Sequence, residues 1–203
     1  MKNLIFDFGQ VLVRFEPAYM VGKYVSDPAD AALLAQVAFD RKYWDRLDAG
    51  TISDAEVVAD IKARVPARLG DAVEMIYYNW IYNIPEVEGM REVIEHVKET
   101  YGAPVYLLSN ISKYFASHAH EIPILALLDG CVFSAECGMT KPNADIFKHI
   151  CEKFALDPAK TVFVDDREEN VQSAKAFGMT GYVFDGDAER LRTYLDQLFA
   201  QEE

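Results

Sequence analysis

Leu4-Ile5-Phe6-Asp7-Phe8-Gly9-Gln10-Val11-Leu12-Val13 decides the fold. Its apolar, aromatic-rich opening reads as a buried strand, and Asp7-Phe8-Gly9 reads as the turn the strand enters. Four later runs have the same character: Val105-Tyr106-Leu107-Leu108, Cys131-Val132-Phe133, Thr161-Val162-Phe163-Val164 and Gly181-Tyr182-Val183-Phe184. Helical patterns at 87–101, 144–154, 171–177 and 188–199 separate or follow them. Continuous apolar strands alternating with helices predict an α/β fold, a doubly wound and mainly parallel sheet covered on both faces.

Residues 16–85 break this rhythm and contain no convincing strand run. Ala29 to Phe39 is rich in Ala and Leu. Ser53-Asp54-Ala55-Glu56 is a capping box, in which Ser accepts from the N3 amide while Glu reaches back. Val57, Val58 and Ile61 then supply one helical face, and Val73, Ile76, Tyr77 and Trp80 repeat the pattern. Pro66, Gly70 and Pro85 punctuate the helices. The expectation is a core of 1–15 and 86–203, with a small helical bundle of 16–85 inserted after strand one and both its ends returning to the same edge.

The chain has 203 residues, of which 51% are apolar and 26% charged. That is a globular composition, long enough to bury a core without staples. The formal net charge of −13 disfavours nucleic acid and anionic membrane surfaces as partners. No apolar run reaches transmembrane length, and Asp7 comes too early for a secretory signal. Cys131, Cys137 and Cys151 are an odd count without metal-ligand spacing, which suits reduced cytoplasmic thiols.

Polar residues close three of the strands: Asp7, then Ser109-Asn110, then Asp165-Asp166. Ligands of open α/β sheets bind outside the carboxyl ends of the strands. Lys141-Pro142 follows the third strand on the same face. Taken singly, each is a common turn, cap or surface residue. Together, they converge on one crevice. Asp7 can act as a nucleophile toward phosphorus. A phosphate ester would be repelled by bare carboxylates, so Asp165 and Asp166 imply a hard cation, and Mg²⁺ prefers such oxygen ligands. Lys141 can neutralise phosphoryl oxygens as a compact charge, and Ser109 and Asn110 can hold them for in-line attack.

These motifs and their order resemble the haloacid dehalogenase-like hydrolase superfamily over the whole chain. Phe6–Val13 resembles its first motif and Leu107-Leu108-Ser109-Asn110 its second. Lys141-Pro142 with Asp145-Ile146-Phe147 resembles its third, and Val164-Asp165-Asp166 with Asn170 its fourth. The insertion is placed like the family's helical cap. Trp44, Gly50-Thr51-Ile52-Ser53 and Glu56 resemble caps of bacterial sugar-phosphate phosphatases, one of which hydrolyses α-glucose 1-phosphate. The resemblance implies a Rossmann-like core and an aspartyl-phosphate on Asp7. It implies Mg²⁺ held by Asp7, Asp166, the Gly9 carbonyl and Asp165 as ligand or support. Ser109, Asn110 and Lys141 would bind the phosphoryl group of a phosphorylated small molecule, and Asn170 would support the metal from outside.

One position departs from the pattern. Most phosphatases of the family carry a second Asp two residues after the nucleophile, which protonates the leaving group and later activates water. Here that position is Gly9. General acid–base help is worth about 10²–10⁴ in rate, or roughly 3–5 kcal/mol. Without it, the site is biased toward easy leaving groups such as anomeric phosphates. A non-catalytic phospho-ligand binding protein and a metal-free 2-haloacid dehalogenase are the alternatives. The paired acids count against the second.

Overall fold

The computed structural model describes residues 2–200; position 1 and positions 201–203 of the expected core lie outside the described residues. Five strands form one sheet: β1 (Asn3–Phe6), β2 (Val105–Ser109), β3 (Gly130–Phe133), β4 (Thr161–Asp165) and β5 (Thr180–Val183). The order is β3-β2-β1-β4-β5, and every pairing is parallel. The helices are α1 (Pro17–Gly22), α2 (Pro28–Ala38), α3 (Arg41–Asp48), α4 (Asp54–Arg64), α5 (Gly70–Asn79), α6 (Met90–Tyr101), α7 (Lys113–His118), α8 (Ser134–Cys137), α9 (Ala144–Phe154), α10 (Glu168–Phe177) and α11 (Ala188–Phe199).

Alternation along the strands explains why both faces are apolar. Leu4, Phe6, Val105, Leu107, Val162 and Val164 face a cluster completed by Met90, Ile94 and Val97 of α6 and Leu191 and Leu195 of α11. Ile5, Tyr106, Leu108 and Phe163 face the opposite cluster, with Ile146, Phe147 and Ile150 of α9. Where α9 meets the edge strand β3 there is no spare room. A Cβ on Gly130 would lie 2.5 Å from the Phe154 ring, which stacks on Tyr106 at 4.6 Å between centroids. Gly130→Ala should therefore destabilise by about 1–3 kcal/mol through overpacking, read as a lower denaturant midpoint with an unchanged m-value.

Helices α1 to α5 between β1 and β2 enclose an apolar cluster of their own, including Leu34, Val57, Ile61, Val73 and Ile76. The Ser53–Glu56 capping box is formed. The insertion does not leave from a sheet edge, because β1 is the central strand. Its entry and exit run side by side: Arg14 N donates to Pro85 O at 2.8 Å and Val87 N to Leu12 O at 2.9 Å. Beyond the strand, Val11, Leu12 and Val13 continue the expected turn and are fully buried. Gln10, with φ 59°, reverses the chain there, and Leu12 N and Val13 N both donate back to Phe8 O.

Candidate active site

Parallel pairing of β1 with β2 and β4 brings Asp7, Ser109 and Asp165 to the same end of the sheet, at its centre. Asp7 N donates to Val164 O at 2.9 Å, which fixes the backbone of Asp7 beside β4. Carboxylate oxygens of Asp7, Asp165 and Asp166 lie within 4.8 Å of one another. Lys141 reaches in from the loop before α9. Its Nζ donates to Asp7 Oδ1 at 2.6 Å and to Asp165 Oδ2 at 2.7 Å, with 2% of its side chain exposed.

The remaining partners divide the labour. Asp165 is fully buried and accepts from Arg167 N at 2.9 Å and from Asn170 Nδ2 at 3.0 Å on both oxygens. Its lone pairs are thus largely committed within the protein. Asp166 lines the cavity beside Asp7 and Gly9. Asn170 Oδ1 is buried with no hydrogen-bond partner among the described residues. Asn110 brackets the Lys141 backbone, donating from Nδ2 to Lys141 O at 3.0 Å and accepting from Lys141 N at 2.8 Å. Ser109 is buried at the end of β2 and lines the cavity.

Electrostatics follow from burial. Desolvation pushes Asp7 up to about 7 against the pull of Lys141, and Asp165 adds to the rise. Asp166 is raised by burial first and by Asp165 second. Burial would lower Lys141, but Asp7 and Asp165 outweigh it and hold the ammonium above its ordinary value. Three carboxylates face one ammonium, so the cluster carries an excess of negative charge that a bound cation can balance.

The cavity in front of the cluster has a volume of about 400 Å³. Part of its lining is aromatic: Phe15 packs edge-on against Phe39, Trp44 and Trp80 at 5.4–5.5 Å. Asp48 of α3 joins that lining. Arg41 and Trp44 both line the cavity. Lys42 is instead paired with Asp60 at 2.8 Å, and Arg14 with Glu16 at 3.9 Å. His118 bonds to Tyr114 O of its own helix. The sequence reading passed over Asp48, although Arg41, Trp44 and Asp48 stand at i, i+3 and i+7 and so share one helical face.

A family model described as haloacid dehalogenase-like hydrolase matches residues 1–178. The sesquiterpene phosphatase astK of Aspergillus oryzae is 26% identical over 184 residues, covering 89% of this chain and 88% of that one. The drimenol cyclase drtB of Aspergillus calidoustus is 25% identical over 188 residues, which is 91% of this chain but 34% of drtB. The haloacid dehalogenase family enzyme bt-2542 of Bacteroides thetaiotaomicron, crystallised with magnesium and inorganic phosphate, superposes with a TM-score of 0.70 at 21% identity, covering 94% of this chain and 98% of that one. With a parallel sheet of this order, four motifs gathered at its carboxyl end and a family match over most of its length, the chain belongs to the haloacid dehalogenase-like hydrolases.

Proposed function

We propose that this chain is a Mg²⁺-dependent phosphatase that hydrolyses a small phosphomonoester, a sugar phosphate, through an aspartyl-phosphate on Asp7. The observation that carries this reading is Lys141, buried between Asp7 and Asp165 with Asp166 alongside. The donor set suits Mg²⁺: it is all oxygen, it has negative charge in excess, and Asn170 Oδ1, which lines the same cavity and has no partner among the described residues, would offer a further acceptor around the ion. Asp7, Asp166 and the Gly9 carbonyl would hold the ion, with Asp165 mainly fixing Lys141. Bound there, Mg²⁺ supplies charge neutralisation for the incoming phosphate. The names of astK and bt-2542's magnesium–phosphate complex support the same chemistry.

The protein's own groups then divide the reaction. The Asp7 oxygen not held by Lys141 attacks phosphorus. Lys141 stabilises the charge on the phosphoryl oxygens, and Ser109 donates to them. Asn110 keeps Lys141 in place and has a second Nδ2 hydrogen for the phosphoryl group. Residues 16–85 act as the cap over the cavity. A sugar's apolar face can lie against the aromatic wall while Arg41 and Gln10 take its hydroxyls.

The same wall favours a second reading, the phosphate of an apolar isoprenoid-like alcohol, which also fits the name of astK. Assaying sugar phosphates and isoprenyl monophosphates with and without Mg²⁺ separates the two by kcat/KM. Under the first reading, sugar phosphates lead the panel and chelation abolishes turnover. Exclusive use of isoprenyl phosphates would replace it with the second. Binding without turnover of any ester would favour the non-catalytic alternative. Release of halide from a 2-haloacid without added metal would favour the dehalogenase.

Two further outcomes are expected. Mg²⁺ at a hundred times its Kd should stabilise the protein by about 2.7 kcal/mol, seen as a rise in Tm that Asp166→Asn removes. Trp44→Ala should raise KM for the preferred substrate about tenfold, equivalent to about 1.4 kcal/mol, with a smaller change in kcat.

A further inference from the structure

We propose that Asp48, delivered by the helical insertion, is the proton donor and acceptor that Gly9 does not supply. The inference rests on the phosphatase reading and deepens it. Asp48 lines the same cavity as Asp7, Gly9 and Lys141 but comes from α3 of the helical insertion and not from the sheet that carries Asp7. Asp48 Oδ1 is buried without a hydrogen-bond partner among the described residues, so this carboxyl is not occupied in holding them together. An unpaired buried carboxylate is costly, and the neutral acid is the cheaper state.

The position is braced. Asp48 is the last residue of α3, and the chain behind it rests on the core. Gly50 adopts φ +67°, and a Cβ there would come within 3.0 Å of Ala135 O and 3.2 Å of Lys113 Cε. Gly50 N donates to Leu47 O at 2.9 Å and Thr51 N to Arg46 O at 2.8 Å, closing the helix end. The insertion therefore holds its carboxyl against the core instead of on a free lobe.

Charges around the group keep its proton available near neutrality. Burial first, then Asp45 on the same helix and Asp7 in the same cavity, push Asp48 up to about 7, while Lys141 and Arg41 oppose the rise. Asp166 and Arg167 line the same cavity. The negative end of the α3 dipole acts in the same direction as burial.

The steps balance. As Asp7 bonds to phosphorus and the ester P–O bond breaks, the Asp48 proton passes to the departing oxygen and an alcohol leaves. The Asp48 carboxylate then takes a proton from water while that water's oxygen bonds to phosphorus. The Asp7–phosphorus bond breaks, inorganic phosphate is released, and Asp48 is again protonated. With this group in place, the restriction to anomeric phosphates that Gly9 alone would impose is lifted, and sugar 6-phosphates come within reach.

The test is a leaving-group series. For wild type and Asp48→Asn, kcat/KM is measured with Mg²⁺ on p-nitrophenyl phosphate and on alkyl phosphates of rising leaving-group pKa. The loss in Asp48→Asn should grow along the series to about 10²–10⁴-fold on the alkyl esters. Gly9→Asp is then added to Asp48→Asn; a Cβ at Gly9 meets nothing within 4 Å, so a side chain can leave the backbone there without a clash at Cβ. The double variant should recover at least about tenfold on alkyl phosphates, which a purely structural role of Asp48 would not allow. An equal loss across the series, no loss, or no recovery in a double variant that keeps the wild-type Mg²⁺-induced rise in Tm would overturn the assignment. A wild type inactive on every ester would instead overturn the phosphatase reading, and this inference with it.

Discussion

Asp7→Asn is expected to lower kcat by about 10⁴–10⁶-fold, the scale seen when a nucleophile is removed. The amide keeps the shape of the side chain and leaves an oxygen to accept from Lys141, which now donates to Asp7 Oδ1 at 2.6 Å. It cannot form the acyl phosphate. The variant also loses a charge that burial makes costly. Its Tm in chelator should therefore stay within a few degrees of wild type, on the scale of about 1 kcal/mol for a small domain. Activity and stability separate at this residue. A variant that unfolds, or one that turns over p-nitrophenyl phosphate at the wild-type rate, would remove Asp7 from the centre of the mechanism.

Lys141→Met should affect both properties. Its ammonium is the shared partner of two carboxylates, with 2% of its side chain exposed against 0% for Asp165 and 13% for Asp7. Removing one member of a buried ionic cluster costs about 3–5 kcal/mol, because the stranded charges have no replacement partner. The sign with pH follows. Without Lys141, which now opposes the rise, the folded-state pKa of Asp7 moves further above its unfolded value. The native state then binds more protons than the unfolded state as pH climbs, and stability falls. The deficit relative to wild type should thus be larger at about pH 8 than at about pH 5. Adding Asp165→Asn should restore part of the loss, since it removes one of the stranded charges. Turnover should fall by at least about 10²–10³-fold, the worth of one preorganised donor. Urea titrations at the two pH values, with kcat from the same preparations, check both halves.

The inner strands are legible from sequence because they are buried on both sides: β1, β2 and β4 are continuous apolar runs with helices over both faces. The edge strands β3 and β5 are only partly buried and are legible from the alternation of short apolar runs with helices. The site was legible for a related reason. Parallel strands place their carboxyl ends together, so Asp7, Ser109 and Asp165 were bound to meet once the sheet was inferred. Boundaries set by exposed residues were not legible. Helix α10 begins at Glu168, earlier than the pattern from Val171 suggested, because its first turn is acidic and solvent-facing. The segment after β2 breaks into the six-residue α7 and short 3-10 turns, too brief for any periodicity to show.

What sequence spacing cannot carry is how the insertion lies on the sheet. Trp44 lies on α3 of the insertion, yet it packs against the cluster of the sheet and lines the cavity. Phe15, Phe39 and Trp80 meet it there from separate segments. Asn110 reads as a phosphate donor, and its amide is spent mostly on the Lys141 backbone. Asp165 and Asp166 are adjacent and chemically identical in sequence. Hydrogen bonds from Arg167, Asn170 and Lys141 make the first a structural anion and leave the second open to the cavity.

The most direct test of the central claim is to trap the intermediate. Wild-type protein with Mg²⁺ is mixed with excess substrate, quenched in acid within one turnover, and digested for mass spectrometry. The account predicts an acid-stable, hydroxylamine-labile phosphoryl group on the peptide carrying Asp7, absent from Asp7→Asn and absent when Mg²⁺ is chelated. Steady turnover with phosphate on another residue, or with no covalent phosphate at any quench time while Asp7→Asn remains active, would contradict it.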